Sequence, residues 1–135
     1  MRRGEGGQAL VAAVVLLGMA AAAIVGLLHA QERLLGAVRD ARAGEAAVAA
    51  AGTAVADRYH ALARSLGRDP SAAETAAFAA DPAVTEAARE AAVGMARAHG
   101  RADPSEVRVR SFGIEVEVDL LLAGRRHVAL LESFP

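Results

Sequence analysis

The chain has no cysteine, no lysine and no asparagine, and aromatic residues make up only 3% of its 135 positions. Absence of cysteine removes disulfides, thiolate metal sites and cysteine nucleophiles, and it leaves the redox compartment open. Scarcity of aromatics means that the 54% apolar content is carried mostly by alanine, so a soluble domain built from it has few large side chains for a core. A formal charge of −1 supplies no basic field, which argues against nucleic acid as a partner. The length fits one domain plus an anchor.

What is present is concentrated at the start. Between Gly6 and Gln31 there is no acidic residue and no arginine, and Leu10 to Leu28 is almost wholly apolar. A helix needs about 20 apolar residues to cross a hydrocarbon core of ~30 Å, and this run supplies them. Residues 9–29 are therefore expected to be a transmembrane helix, with residues 1–8 as its cytoplasmic flank. Arg2 and Arg3 precede the run, and the positive-inside tendency then sends the rest of the chain across the membrane. The competing reading is a cleaved secretory signal, for which Leu28-His29-Ala30 is a poor small-x-small site. Along one face of the run Gly18, Ala22 and Gly26 recur at four-residue spacing, the pattern that lets two helix backbones approach closely in lipid.

Residues 30–66 contain no proline and are rich in Ala, Arg, Glu and Leu, so the helix is expected to continue beyond the bilayer. Leu34, Val38, Ala41, Glu45, Val48, Gly52, Val55, Tyr59, Leu62 and Leu66 form one three-and-four stripe, in phase with Leu10, Leu17, Ile24 and Leu27. Glu45 and Gly52 interrupt the stripe, and Gly36, Gly44 and Gly52 each cost a helix about 1 kcal/mol relative to alanine. That favours packing of its latter half against the protein's own C-terminal domain over a free-standing coiled coil.

Gly67 and Asp69-Pro70 end the helix. Ser71 and Glu74 have capping-box spacing, predicting a helix over 71–80, and Asp81-Pro82 is an N-cap followed by proline at the first helical position, predicting a second over 82–99 with Val84, Ala88, Ala91 and Met95 on one face. After Pro104 the period changes to two, predicting strands at 106–112, 114–122 and 126–133. A fold about Phe112-Gly113 sets Arg110 opposite Glu115, Arg108 opposite Glu117, Val109 opposite Val116 and Val107 opposite Val118, with Ile114 on the apolar face. Val128, Leu130 and Leu131 do not alternate cleanly, so the third register stays open. The expected fold class is α+β: a long N-terminal helix, two short helices, and a three-stranded antiparallel meander packed on the helix, with residues 67–135 as the extracytoplasmic domain.

The opening run Arg-Arg-Gly-Glu-Gly-Gly-Gln-Ala-Leu-Val, the stretch Arg39-Asp40-Ala41-Arg42-Ala43, and Ala87 to Ala92 followed by His99-Gly100 and the alternating valines resemble TadE/TadG-like proteins. These are pseudopilin-like components of tight-adherence pilus and related type II/IV secretion assemblies. The resemblance covers most of the chain. It implies a single-pass protein of the cytoplasmic (inner) membrane with its N-terminus inside. It also implies partners among membrane lipid and other pilin-like or pilus-assembly proteins, in homo- or hetero-oligomers. Some members are cut by a prepilin peptidase after a glycine that is followed five residues later by glutamate. Here a cut after Gly7 puts Ala12 at that position, and a cut after Gly6 puts Val11 there. That departure fits members that remain membrane-bound assembly factors.

No enzymatic motif emerges. His29, His60, His99 and His127 form no metal-ligand spacing, and Asp57 and His60, one turn apart, read as a solvated helix face. Ser111, Ser133, Thr53 and Thr75 lack a nucleophile-elbow setting, and the glycines form no phosphate loop. No cofactor or metal is expected. The alternative function is a membrane-tethered ligand-sensing or hydrolytic domain, which requires a concave pocket with converging polar groups.

Overall fold

The computed structural model describes residues 5–131. They form helix α1 (Glu5–Leu66), α2 (Ala72–Ala80), α3 (Pro82–Ala98) and strands β1 (Glu106–Phe112), β2 (Glu115–Leu122) and β3 (Arg125–Leu131). The fold class is α+β, with an antiparallel sheet in the order β1-β2-β3 packed on the long helix. The last expected residues of the third strand, 132–133, lie outside the described residues. Two compact units divide the chain, Met1–Val38 and Arg39–Pro135, so the second half of α1 belongs with the short helices and the sheet.

Helix ends follow local chemistry. Gly67, at φ +67°, closes α1. Ser71 caps α2 in a complete capping box: its hydroxyl accepts from the Glu74 N–H, and its own N–H donates to the Glu74 carboxylate at 2.7 Å. Asp81 Oδ1 accepts from the Ala83 N–H at 2.8 Å, with Pro82 at the first position of α3. At the other end of α3, Gly100 (φ +66°) donates to Arg97 O and Arg101 to Ala96 O, each at 2.9 Å, which is a Schellman closure.

The core of the second unit is made of small residues. Ala43, Ala47, Val48, Ala51 and Val55 of α1 meet Val84, Ala88, Ala92 and Ala96 of α3 and Val107, Val116, Val118, Leu120 and Leu122 of the sheet, with Tyr59, Phe78 and Ala129 at its margin. Tyr59 stacks edge-on against Phe78, ring centroids 5.4 Å apart, and its hydroxyl lies 3.3 Å from that of the buried Thr75. Two expected faces are corrected here. On α1 the buried line keeps Val48, Gly52 and Val55 and adds Ala43, Gly44, Ala47 and Ala51, which the stripe left out, while Glu45, the interruption in that stripe, is exposed. On α3, Ala92 and Ala96 are buried in place of Ala91 and Met95. Both rotations have one cause: a helix that lies close over a sheet uses its smallest side chains at the contact, and a search for the largest apolar residues misses that line.

The hairpin register is also corrected. Val109 lies opposite Val118, Arg110 opposite Glu117, Arg108 opposite Asp119 and Val107 opposite Leu120, two residues along from the expected pairing. The turn is the pair Gly113-Ile114, with Gly113 at φ +66°, so Ile114 is exposed in the turn and not part of the apolar face. A positive φ at the first turn residue is what a two-residue hairpin asks of glycine, and it fixes the loop there. The second turn, Ala123-Gly124, has positive φ at both residues, +50° and +74°, which is strained for alanine. On β3 the inward residues are His127, Ala129 and Leu131, which oppose Leu120, Val118 and Val116.

Candidate functional site

Among the described residues, α1 is the one helix long and apolar enough to cross a membrane, and none of its most apolar window is buried. A core helix of a soluble domain would be mostly covered, so burial within this chain does not account for the run. Leu10, Val14, Leu17, Ile24 and Leu28 are all exposed. The Leu28-His29-Ala30 segment sits inside α1 with no turn or break, and His29 Nδ1–H donates to the Val25 carbonyl at 3.1 Å, which satisfies the ring within the helix.

Gly18, Ala22 and Gly26 are exposed on α1, and a Cβ built on Gly18 or Gly26 meets nothing within 4 Å. Each glycine therefore gives up helix stability of about 1 kcal/mol without gaining a close contact inside the chain. Gly7 lies in α1 and is equally open, while Arg2 and Arg3 lie outside the described residues.

The remaining candidates separate. Asp57 and His60 are both exposed and no ion pair joins them, and His99 is the exposed C-cap of α3. No group of three metal-ligating side chains occurs among the described residues. His127 has a structural position that the sequence did not signal. Its ring lies directly over Gly44 of α1, and its buried Nε2 has no hydrogen-bond partner among the described residues.

Charge organises the sheet face turned away from α1. Asp119, central on β2, has a side chain only 3% exposed; Arg110 reaches its Oδ2 at 3.2 Å and Arg126 at 3.6 Å. Arg108 pairs with Glu106 on its own strand, and Arg126 also approaches Glu106. The two pairs expected across the hairpin, Arg110 with Glu115 and Arg108 with Glu117, are replaced by this network because the register moves Asp119 to the middle. Elsewhere Arg68 grips Glu74 through two hydrogen bonds of 2.8 and 2.9 Å; with the Ser71 N–H and hydroxyl, this lowers the Glu74 carboxyl to about 2. Arg97 holds Asp103 below the ordinary carboxylate range in the same way.

No protein-family model matches the chain, and neither a curated protein nor a solved structure matches it.

Proposed function

We propose that the protein is a membrane-anchored structural or assembly component of the pseudopilin-like kind, similar to TadE/TadG-like proteins of tight-adherence pilus and type II/IV secretion systems. Its N-terminal helix lies in the cytoplasmic membrane with the N-terminus inside, and the α+β domain outside guides or caps neighbouring subunits. One observation carries the reading: the apolar leading segment of α1 is exposed throughout and bears two glycines that meet nothing among the described residues of their own chain. In lipid, association is driven by packing between close backbones, and Gly18, Ala22 and Gly26 leave room for it. The poor small-x-small match at Leu28-His29-Ala30 favours a retained anchor over a cut leader.

Sequencing the N-terminus of protein recovered from membranes separates the intact form from one cut after Gly7 and from one cut near Gln31. A mature form that begins near Gln31 and is free in buffer would sink the proposal. With a photo-crosslinker in place of Val25, Gly18→Leu together with Gly26→Leu is expected to cut in-membrane crosslinking several-fold, because leucine at both positions holds the two backbones apart. Unchanged crosslinking would remove the assembly role and leave only an anchor.

A further inference from the structure

We infer that the chain carries a self-scission site at the Asp69–Pro70 peptide bond, in the turn between α1 and α2. Aspartate before proline is a labile pairing. The side-chain carboxylate can close a five-membered ring on its own main-chain carbonyl, so nucleophile and carbonyl carbon are held together by the residue itself. The departing nitrogen belongs to a tertiary amide and, once free, is more basic than a peptide nitrogen, so it takes up a proton readily as the bond breaks. Three of the four prolines follow aspartate, at Asp69-Pro70, Asp81-Pro82 and Asp103-Pro104, and the fold treats the three bonds differently. Asp81 Oδ1 is held by the Ala83 N–H as the cap of α3. Both carboxylate oxygens of Asp103 are held by Arg97, at 2.7 and 2.6 Å. In each case the nucleophile is occupied.

Asp69 is exposed, and its carboxylate makes no hydrogen bond or ion pair among the described residues. Its main-chain carbonyl oxygen, by contrast, accepts from the Arg68 Nη1–H at 2.9 Å. Glu74 fixes the same guanidinium, Nη1 to Oε2 at 2.9 Å and Nη2 to Oε1 at 2.8 Å. A fixed cationic donor on the carbonyl under attack stabilises the oxyanion that forms there. This bond alone of the three combines a free nucleophile with a carbonyl polarised by a guanidinium. The step balances with water as the one co-reactant. An Asp69 side-chain oxygen bonds to the Asp69 main-chain carbonyl carbon, and the bond from that carbon to the Pro70 nitrogen breaks. The nitrogen leaves with a proton as a new amino terminus, and Asp69 is left as a cyclic anhydride. Water then opens the anhydride to an aspartate with two carboxyl groups. The products are residues 1–69, which keep the apolar run, and 70–135, which keep α2, α3 and the sheet. Ala47, Ala51 and Val55 share one core with Val84, Val118 and Leu120, so packing holds the two pieces together after the cut. All of these groups belong to the second compact unit, and none is part of the proposed anchor.

Intact-mass measurement on the full chain in detergent micelles at about pH 4.5 follows the cut, because Glu74, lowered to about 2, stays ionised there and keeps Arg68 in place. Two fragments, 1–69 and 70–135, are expected, with masses that sum to the whole chain plus one water. They should form ~10-fold faster or more than the same cut in the guanidinium-denatured chain at that pH, with little cleavage at 81–82 or 103–104. Asp69→Ala should abolish the cut. Arg68→Gln should slow it ~10-fold in the folded chain and leave the denatured rate unchanged, and Arg68→Lys, which keeps a cationic donor, should recover part of the loss. Both positions are exposed, so the variants are expected to fold, which circular dichroism checks. No cut at 69–70, a cut no faster than in the denatured chain, or folded-chain cleavage spread evenly over the three bonds would overturn the inference. A folded Arg68→Gln variant that cleaves at the wild-type rate would overturn it too.

Discussion

Two glycines on one helix face make opposite predictions. Gly44 and Gly52 both lie on the buried side of α1, two turns apart. A Cβ on Gly44 would run into the His127 ring, whereas one on Gly52 would sit 3.6 Å from the Ala129 Cβ, an ordinary contact. Gly52→Ala should therefore stabilise the domain by about 0.5–1 kcal/mol, the usual helix gain. Gly44→Ala should cost about 1–3 kcal/mol, because overpacking outweighs that gain. Equilibrium denaturation of the two variants checks the signs, and His127→Ala in the Gly44→Ala background should recover most of the loss. Equal effects at the two positions would mean that His127 does not hold the helix where it lies. The sequence could not separate these glycines, because the difference lies in what β3 places above each one.

Among the elements, α2 is held at its start by charge-assisted hydrogen bonds. Arg68, Ser71 and Glu74 form one clamp, and the carboxyl at Glu74 is lowered from an ordinary 4.5 to about 2, chiefly by the Arg68 hydrogen bonds. A depressed folded-state value means stability that is fully present above the unfolded value and is lost as pH falls through the folded one. The thermal stability advantage of the wild type over Glu74→Gln should thus be constant near neutral pH, shrink below about pH 4.5 and be mostly gone by about pH 2. An advantage unaltered at pH 2 would mean that ionisation of Glu74 contributes nothing. This clamp was half legible: Ser71 and Glu74 spell a capping box, but nothing in the spacing brings in Arg68.

The same division applies to the other elements. Caps at Asp81 and Gly100 are written in single residues with one conformational use, so they could be read directly. Strand faces could be read from period two, but register could not, since a shift of two residues keeps every face and only Gly113 in the turn decides. Helix faces were misread where alanine makes the contact. In an Ala-rich helix the hydrophobic pattern is nearly flat, and the eye goes to Met95, which is exposed, and passes over Ala43, Ala47 and Ala51, which are buried. Of the candidate site, the apolar run and its small-residue line stand in the sequence, while the emptiness around Gly18 and Gly26 needed coordinates.

For the molecule as a whole, the proposed orientation rests on a close balance. Arg2 and Arg3 precede the apolar run, and Arg33, Arg39 and Arg42 follow it. All three fall within the roughly 15–20 residues of the span's end over which this bias is counted, so the following flank carries three arginines against the leading two. Topology counts arginines on both flanks of the span, while acidic neighbours such as Glu32 and Asp40 subtract little. With the flanks so nearly even, the proposed orientation depends on Arg2 and Arg3. In spheroplasts, protease added outside should digest the wild-type domain. Arg2→Glu with Arg3→Glu leaves the three following arginines unopposed and should retain a large fraction of the domain inside, protected until the membrane is lysed. Full digestion of both forms would show that Arg2 and Arg3 do not set the orientation, and protection of the wild type would reverse the proposed topology altogether.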